Sequence, residues 1–254
     1  VSRGLKKTQQ IINNLNIYIM KKILLIIALL ISGLGLNAQS VTIGSLRFTV
    51  TSETPAECEV SGYSGRPVDV TIPSTVTISG KEYTVASIGA GVFAWCISLT
   101  SIEIPSSVAS IGDDAFSVCY NLTSIDLGDN SQLTSIGGGA FADCSSLTSI
   151  EIPSGVTSIG GGAFYECSSL TSIVVEEGNI VYDSRNNCNA IIETANNILL
   201  FGCNNTVIPS GVTSIGENAF SGCSSLTSIE IPSGVTSIGD NAFSGCSSLT
   251  NIEL

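Results

Sequence analysis

The sequence predicts an α/β solenoid in which short parallel strands stack rung upon rung, joined by helical turns, behind a small β-rich N-terminal cap. Three observations carry this. One unit, Ile-Pro-Ser-Gly-Val-Thr-Ser-Ile-Gly-x-x-Ala-Phe-x-x-Cys-Ser-Ser-Leu-Thr-Ser-Ile-Glu, recurs almost unchanged along the chain. Inside it, apolar and polar residues alternate at one place and follow an i, i+1, i+4 spacing at another. Apolar residues make up 43% of the 254, too many for a disordered chain, so the periodic positions have a core to build.

The first element is an address. Met20, the only methionine, is followed by Lys21-Lys22, an apolar run from Ile23 to Ile31 and on to Leu36, then Asn37-Ala38-Gln39. These are the basic, apolar and small-residue regions of a secretory signal peptide. The run is shorter than the ~20 residues of a membrane span. Residues 20–38 are therefore expected to be a signal peptide cleaved after Ala38, residues 1–19 an over-extended start, and the protein exported, either secreted or at the outer cell surface. Without residues 1–38 the basic residues are Arg47, Arg66, Lys81 and Arg185, against all 21 acids. Such a body repels nucleic acid and anionic lipid and attracts basic partners.

Residues 39–71 alternate Leu46, Phe48 and Val50, then Cys58 and Val60, which fits a two-strand cap shielding the first repeat. The repeats fill 72–254. Their leucine falls at Leu99, Leu122, Leu147, Leu170, Leu226 and Leu249, in steps of 23, 25, 23, 56 and 23 residues. Phe93, Phe116, Phe141, Phe164, Phe220 and Phe243 keep those steps, as do Cys96, Cys119, Cys144, Cys167, Cys223 and Cys246. Leu147 to Pro153 reads as a strand with Ile150 and Ile152 inward, Ser149 and Glu151 outward, and a proline to end it. Val156 to Gly160 is a second extended piece. Ala163-Phe164-x-x-Cys167 has helical spacing, so one helical turn is expected to bring the chain back. One unit cannot bury its own apolar face; stacked units can, with rungs about 4.8 Å apart.

The long step between Leu170 and Leu226 holds a variant repeat at about 174–208. Ile191 to Thr194, Ala195 to Asn197 and Ile198 to Phe201 read as strand, turn and strand. Two arrangements fit: a hairpin projecting from the solenoid edge, or a variant repeat packed like its neighbours. The chain stops at Ile252-Glu253-Leu254, on a strand in mid-repeat. That ending leaves open an uncapped structural fragment of a larger surface protein with no ligand of its own.

These units resemble the BspA-type (Treponema pallidum-type) leucine-rich repeat over nearly all of residues 72–254. Tyr182 to Thr194 is similar to a variant repeat common in that family, and Val68 to Pro73 with Gly80 to Val85 resembles its first repeat. The resemblance implies a right-handed leucine-rich-repeat solenoid, or horseshoe. It also implies a bacterial surface or secreted protein, and for some members adhesion to host extracellular-matrix or cell-surface proteins.

The chemistry left to such a chain is narrow. Histidine is absent, which removes Ser-His-Asp and Cys-His nucleophiles and every His-ligated metal site. No catalytic residue, cofactor or metal site is expected. The outward strand position reads Glu103, Asp126, Glu151, Val174, Glu230 and Glu253, so stacking should form a ladder of carboxylates on the inner face. It reads either as a binding strip for a cation or basic partner, or as a solvated face that resists edge-to-edge aggregation. Paired carboxylates can hydrolyse glycosides, but a catalytic pair should break the repeat, and these follow it. The six repeated cysteines read as core thiols, whereas Cys188 and Cys203, centred on the Ala195-Asn196 turn, are the candidate disulfide pair. Trp95 and Tyr120 sit next to repeat core positions and are poor evidence for a sugar platform. The expected function is a non-catalytic protein-binding or adhesion scaffold.

Overall fold

The structure, a computed structural model, describes residues 39–254; the expected signal peptide lies outside them. Three antiparallel strands open the described residues: β1 (Ser40–Ile43), β2 (Leu46–Glu53) and β3 (Ala56–Tyr63). They are followed by β4 (Asp69–Thr71), β5 (Thr75–Ile78) and β6 (Lys81–Ile88). The cap joins the solenoid through β3, which pairs in parallel with β6. Glu53 ties the same junction from outside, accepting from Lys81 Nζ at 2.5 Å and from the Tyr83 hydroxyl at 2.9 Å. The Lys81 bond, with Tyr83 adding to it, holds the Glu53 carboxyl below its usual range.

Each rung then lays down two short strands in two separate rows. The first row begins at β4 and continues through Ser101–Glu103 and Ser124–Asp126, parallel and in register. Ser149–Ile152 pairs with Ser172–Val175, and Ser228–Glu230 with Asn251–Glu253. The second row runs from β6 through Ser110–Ile111, Ser135–Ile136 and Ser158–Ile159. Alternation does what it promised: in Ser149–Ile152 the two isoleucines are buried while Ser149 and Glu151 are exposed.

The third side of the rung is not helical, and the expectation of a helical turn is corrected here. Among the described residues the helical content is one 3-10 turn at Arg185–Asn187. Residues two before and two after each of the six repeat phenylalanines take left-handed backbone, as Asp114 (φ +54) and Val118 (φ +64) do around Phe116. They cut the segment into successive tight turns. Ser117 N–H closes on the Asp114 carbonyl and Cys119 N–H on that of Phe116. The intervening donors leave the rung altogether: Asp114, Phe116 and Val118 donate to the Gly138, Ala140 and Ala142 carbonyls of the next rung at 2.9, 2.8 and 2.8 Å. A helix would have used those N–H groups within its own turns. Stacking offers acceptors one rung away, and the ladder wins.

Inside, the phenylalanines stack. Tyr63 of the cap, Phe93, Phe116, Phe141 and Phe164 lie ring on ring with centroids 5.2 to 5.6 Å apart and planes within 10°. Each aromatic pair adds about 0.5–1.5 kcal/mol beyond the area it buries. The stack breaks at the variant repeat, where Phe201 meets Phe164 edge-on at 85°, and it restarts with Phe220 on Phe243. The break divides the core in two. Leu46 through Tyr182, with Ile191 and Cys203, form one cluster; Cys188 through Ala242 form the other.

The variant repeat is a hairpin, Ala190–Glu193 against Ile198–Gly202, but it does not project. Ile191 packs into the first core, while Ile192 and Leu199 pack into the second. With both faces buried, the strand pair is a rung of the stack, and of its turn only Ala195 and Asn196 are exposed.

Candidate functional site

The expected site residues are all outward and all exposed. Glu103, Asp126, Glu151, Glu230 and Glu253 stand on the first strand row, as the alternation requires. They do not form one continuous ladder. Glu103 pairs with Asp126 and Glu230 with Glu253, whereas Glu151 faces Val174. The row itself is interrupted after Asp126, in the one repeat step of 25 residues. There the chain turns at Gly128, whose N–H donates to the Asp126 side chain at 2.8 Å. Two directly opposed carboxylate pairs therefore remain, each costing a few tenths of a kcal/mol to ~1 kcal/mol. Glu103 spends part of its charge on the Thr71 hydroxyl, 3.0 Å away.

The interruption creates a feature that the repeat pattern did not announce. Asp129 and Glu176, both outside the recurring strand position, join Asp126 and Glu151 around a shallow hollow of 210 Å³. Glu176 accepts the backbone N–H of Ser154 at 2.8 Å. Departure from the repeat at 127–131 and 174–177 was the available signal. Among the described residues no group of acids and cysteines is placed to hold a metal ion.

The cysteines have a different task. Cys119, Cys144 and Cys167 each donate their thiol to the carbonyl of the phenylalanine one rung earlier, at 3.1, 3.2 and 3.1 Å. Burial pushes the Cys119 and Cys167 thiols up to about 12, and raises that of Cys144 as well. They stay protonated and unreactive. Cys188 and Cys203 are also free. Up to Leu199 the hairpin keeps the register that would set them opposite each other, pairing Glu193 with Ile198 and Ile192 with Leu199. A bulge at Leu200 then shifts the pairing by one, to Ile191 with Phe201. Cys203 ends beside Asn189, donating to its carbonyl at 3.3 Å, and the two sulfurs belong to different cores.

The structure also exposes Trp95 and Tyr120, both neighbours of core positions, and with them Ile97. Trp95 is 69% exposed, Ile97 57% and Tyr120 43%. All three lie on the turn side of the first two rungs.

Known proteins share this architecture. The T. pallidum leucine-rich repeat protein TpLRR is 25% identical, with a TM-score of 0.51 over 83% of this chain and 90% of its own. The pneumococcal vaccine antigen PcpA is 21% identical, with a TM-score of 0.61 over 85% of this chain and 70% of that one. A leucine-rich repeat protein from Eubacterium ventriosum is 22% identical, with a TM-score of 0.53 over 84% and 72%. No curated protein matches the chain. The BspA type leucine rich repeat region matches in six copies across residues 69–192 and 200–254, and the gap between them falls on the hairpin turn. Rung, stack and variant repeat thus agree with the match along more than half of the sequence, and the chain belongs to the BspA-type leucine-rich repeat family.

Proposed function

We propose that this protein is an exported, non-catalytic scaffold that binds other proteins at the microbial surface through its first strand row. The observation that carries the reading is the acidic strand face: Glu103, Asp126, Glu151, Glu230 and Glu253 are all exposed on one side of a stack of parallel strands. A firm, repetitive surface presents charge at low entropic cost and suits a basic partner protein. Export rests on the signal-peptide pattern of residues 20–38 and fits the family. The ligand class that the family resemblance suggests is a host extracellular-matrix or cell-surface protein. The packed variant repeat offers little surface of its own, which favours the strand row over the hairpin as the contact.

Surface biosensing of the full chain against immobilised matrix proteins tests this. Binding should weaken steeply with salt, and Glu103→Gln with Glu151→Gln and Glu230→Gln should lower affinity about tenfold or more. Binding indifferent to all three changes would remove the strand row from the function. Glycosidase activity carried by Asp126 and Glu151 would replace the scaffold reading with an enzymatic one.

A further inference from the structure

An almost exact repeat is its own control, and the first two rungs depart from it on the turn side. One position after each cysteine, the later rungs carry Ser145, Ser168, Ser224 and Ser247; the first two carry Ile97 and Tyr120. Two positions after each phenylalanine, the column reads Trp95, Val118, Asp143, Glu166, Gly222 and Gly245. Every member of that column is left-handed, Trp95 at φ +63 and Val118 at φ +64. Large or β-branched side chains are strained there, and strain kept without a packing reason points to use. Trp95 has no packing reason, being mostly exposed, and Ile97 and Tyr120 are exposed with it.

We propose that this turn edge docks an extended, basic segment of a partner protein, with Trp95, Ile97 and Tyr120 receiving its side-chain stems and Asp143 and Glu166 its charges. The proposal rests on the reading of the chain as a binding scaffold but places a contact away from the strand row. Backbone hydrogen bonds tie the column rung to rung: Trp95 N–H to the Ser117 carbonyl, Val118 to Ala142, Asp143 to Tyr165. The rings beneath step 5.2 and 5.3 Å between Phe93, Phe116 and Phe141. Asp143 therefore lies two rungs from Trp95, about 10 Å, which three extended residues span. Arginine and lysine fit both ends, since their stems and cationic heads pack on aromatic rings and their charges meet carboxylates. Charge also chooses among occupants. With four basic residues against 21 acids, residues 39–254 repel a second copy, nucleic acid and anionic lipid alike.

Trp95 is the only tryptophan, so its emission reports this edge alone. The full chain is titrated with hexa-arginine, with hexaglutamate and maltohexaose as comparisons. We expect a saturable emission shift with hexa-arginine only. Ile97→Ser and Tyr120→Ser, the residues of the other rungs, should each weaken binding about tenfold. Trp95→Gly, followed by anisotropy of labelled hexa-arginine, should lose binding yet melt no lower than the parent. Glu82→Gln, exposed on β6 and outside both the turn edge and the strand row, should leave the affinity unchanged. Affinity that survives Ile97→Ser and Tyr120→Ser, or no shift with hexa-arginine, overturns the proposal. So does a shift with maltohexaose in its place, or a lower melting point for Trp95→Gly. Loss of hexa-arginine binding in Glu151→Gln alone would overturn it while sparing the strand-row scaffold.

Discussion

Four of the six repeated thiols, those of Cys119, Cys144, Cys167 and Cys246, donate to the phenylalanine carbonyl of the rung before them, and this contact makes cysteine a better choice there than alanine or serine. The sulfur fills apolar space, and its weak S–H donor gives that carbonyl a second partner. Burial and recurrence of the thiol were legible from spacing beside a buried phenylalanine; the bond across rungs was not, because no single repeat contains both partners. A pH dependence follows. The unfolded thiol titrates near its ordinary value of 9, whereas Cys119 and Cys167 in the fold are pushed up to about 12 by burial. The fold thus binds these protons more tightly than the unfolded chain. The resulting stability is complete below pH 9 and drains away as pH rises from 9 through 12. Urea midpoints at pH 7, 9 and 10.5 should fall above pH 9, and Cys119→Ala with Cys167→Ala should flatten that fall. The phenylalanine itself is worth more. Phe141→Ala should cost about 3–5 kcal/mol as a fully buried aromatic truncation. Glu151→Gln, on the exposed position of its strand, should stay within about 0.5 kcal/mol. A larger loss for the glutamate would mean that the inward and outward faces are exchanged.

At the scale of the element, the strands were readable and the turns were not. Alternation with a closing proline places Ser149–Ile152 correctly because a strand is satisfied by one neighbour on each side, of the same sequence. The segment Ala-Phe-x-x-Cys has helical spacing, yet its N–H groups go to the next rung. The contrary signal was present in Asn218 and Gly222 around Phe220, residue types that accept left-handed backbone. The glycines next to the second strand row hold a second lesson. A Cβ on Gly160 would run into the backbone of Gly137 and Gly138 on the preceding rung, which no rotamer change relieves. One residue on, a Cβ on Gly161 would meet open space. Gly160→Ala should therefore destabilise by about 1–3 kcal/mol or more through overpacking. Gly161→Ala should be neutral or gain up to ~1 kcal/mol by restricting the unfolded chain. Thermal melts of the two variants should move in different directions, and equal shifts would disprove the close approach of rungs at Gly160.

At the scale of the molecule the repeats suggest one continuous stack, and the structure divides it. The division could not be read from the period, because it depends on a bulge at Leu200 and on an edge-on ring at Phe201. A stack of rungs is stable through its nearest-neighbour interfaces, so it opens where one interface is weakest. Here that interface is the variant repeat, where stacked rings give way and two hydrophobic clusters meet across one hairpin. The first cluster carries the cap and an unbroken run of four phenylalanine rungs; the second carries two. The second should open first. Hydrogen exchange at rising urea, read by mass spectrometry, should release the amides of residues 212–254 at lower urea than those of 88–175. The amides of 190–202 should follow the first group that loses its partner, since Ile191 serves one cluster and Ile192 the other. A single midpoint for all three segments would show that the hairpin couples the clusters into one cooperative unit. In that case its two buried faces supply as much coupling as the missing aromatic stack would have done.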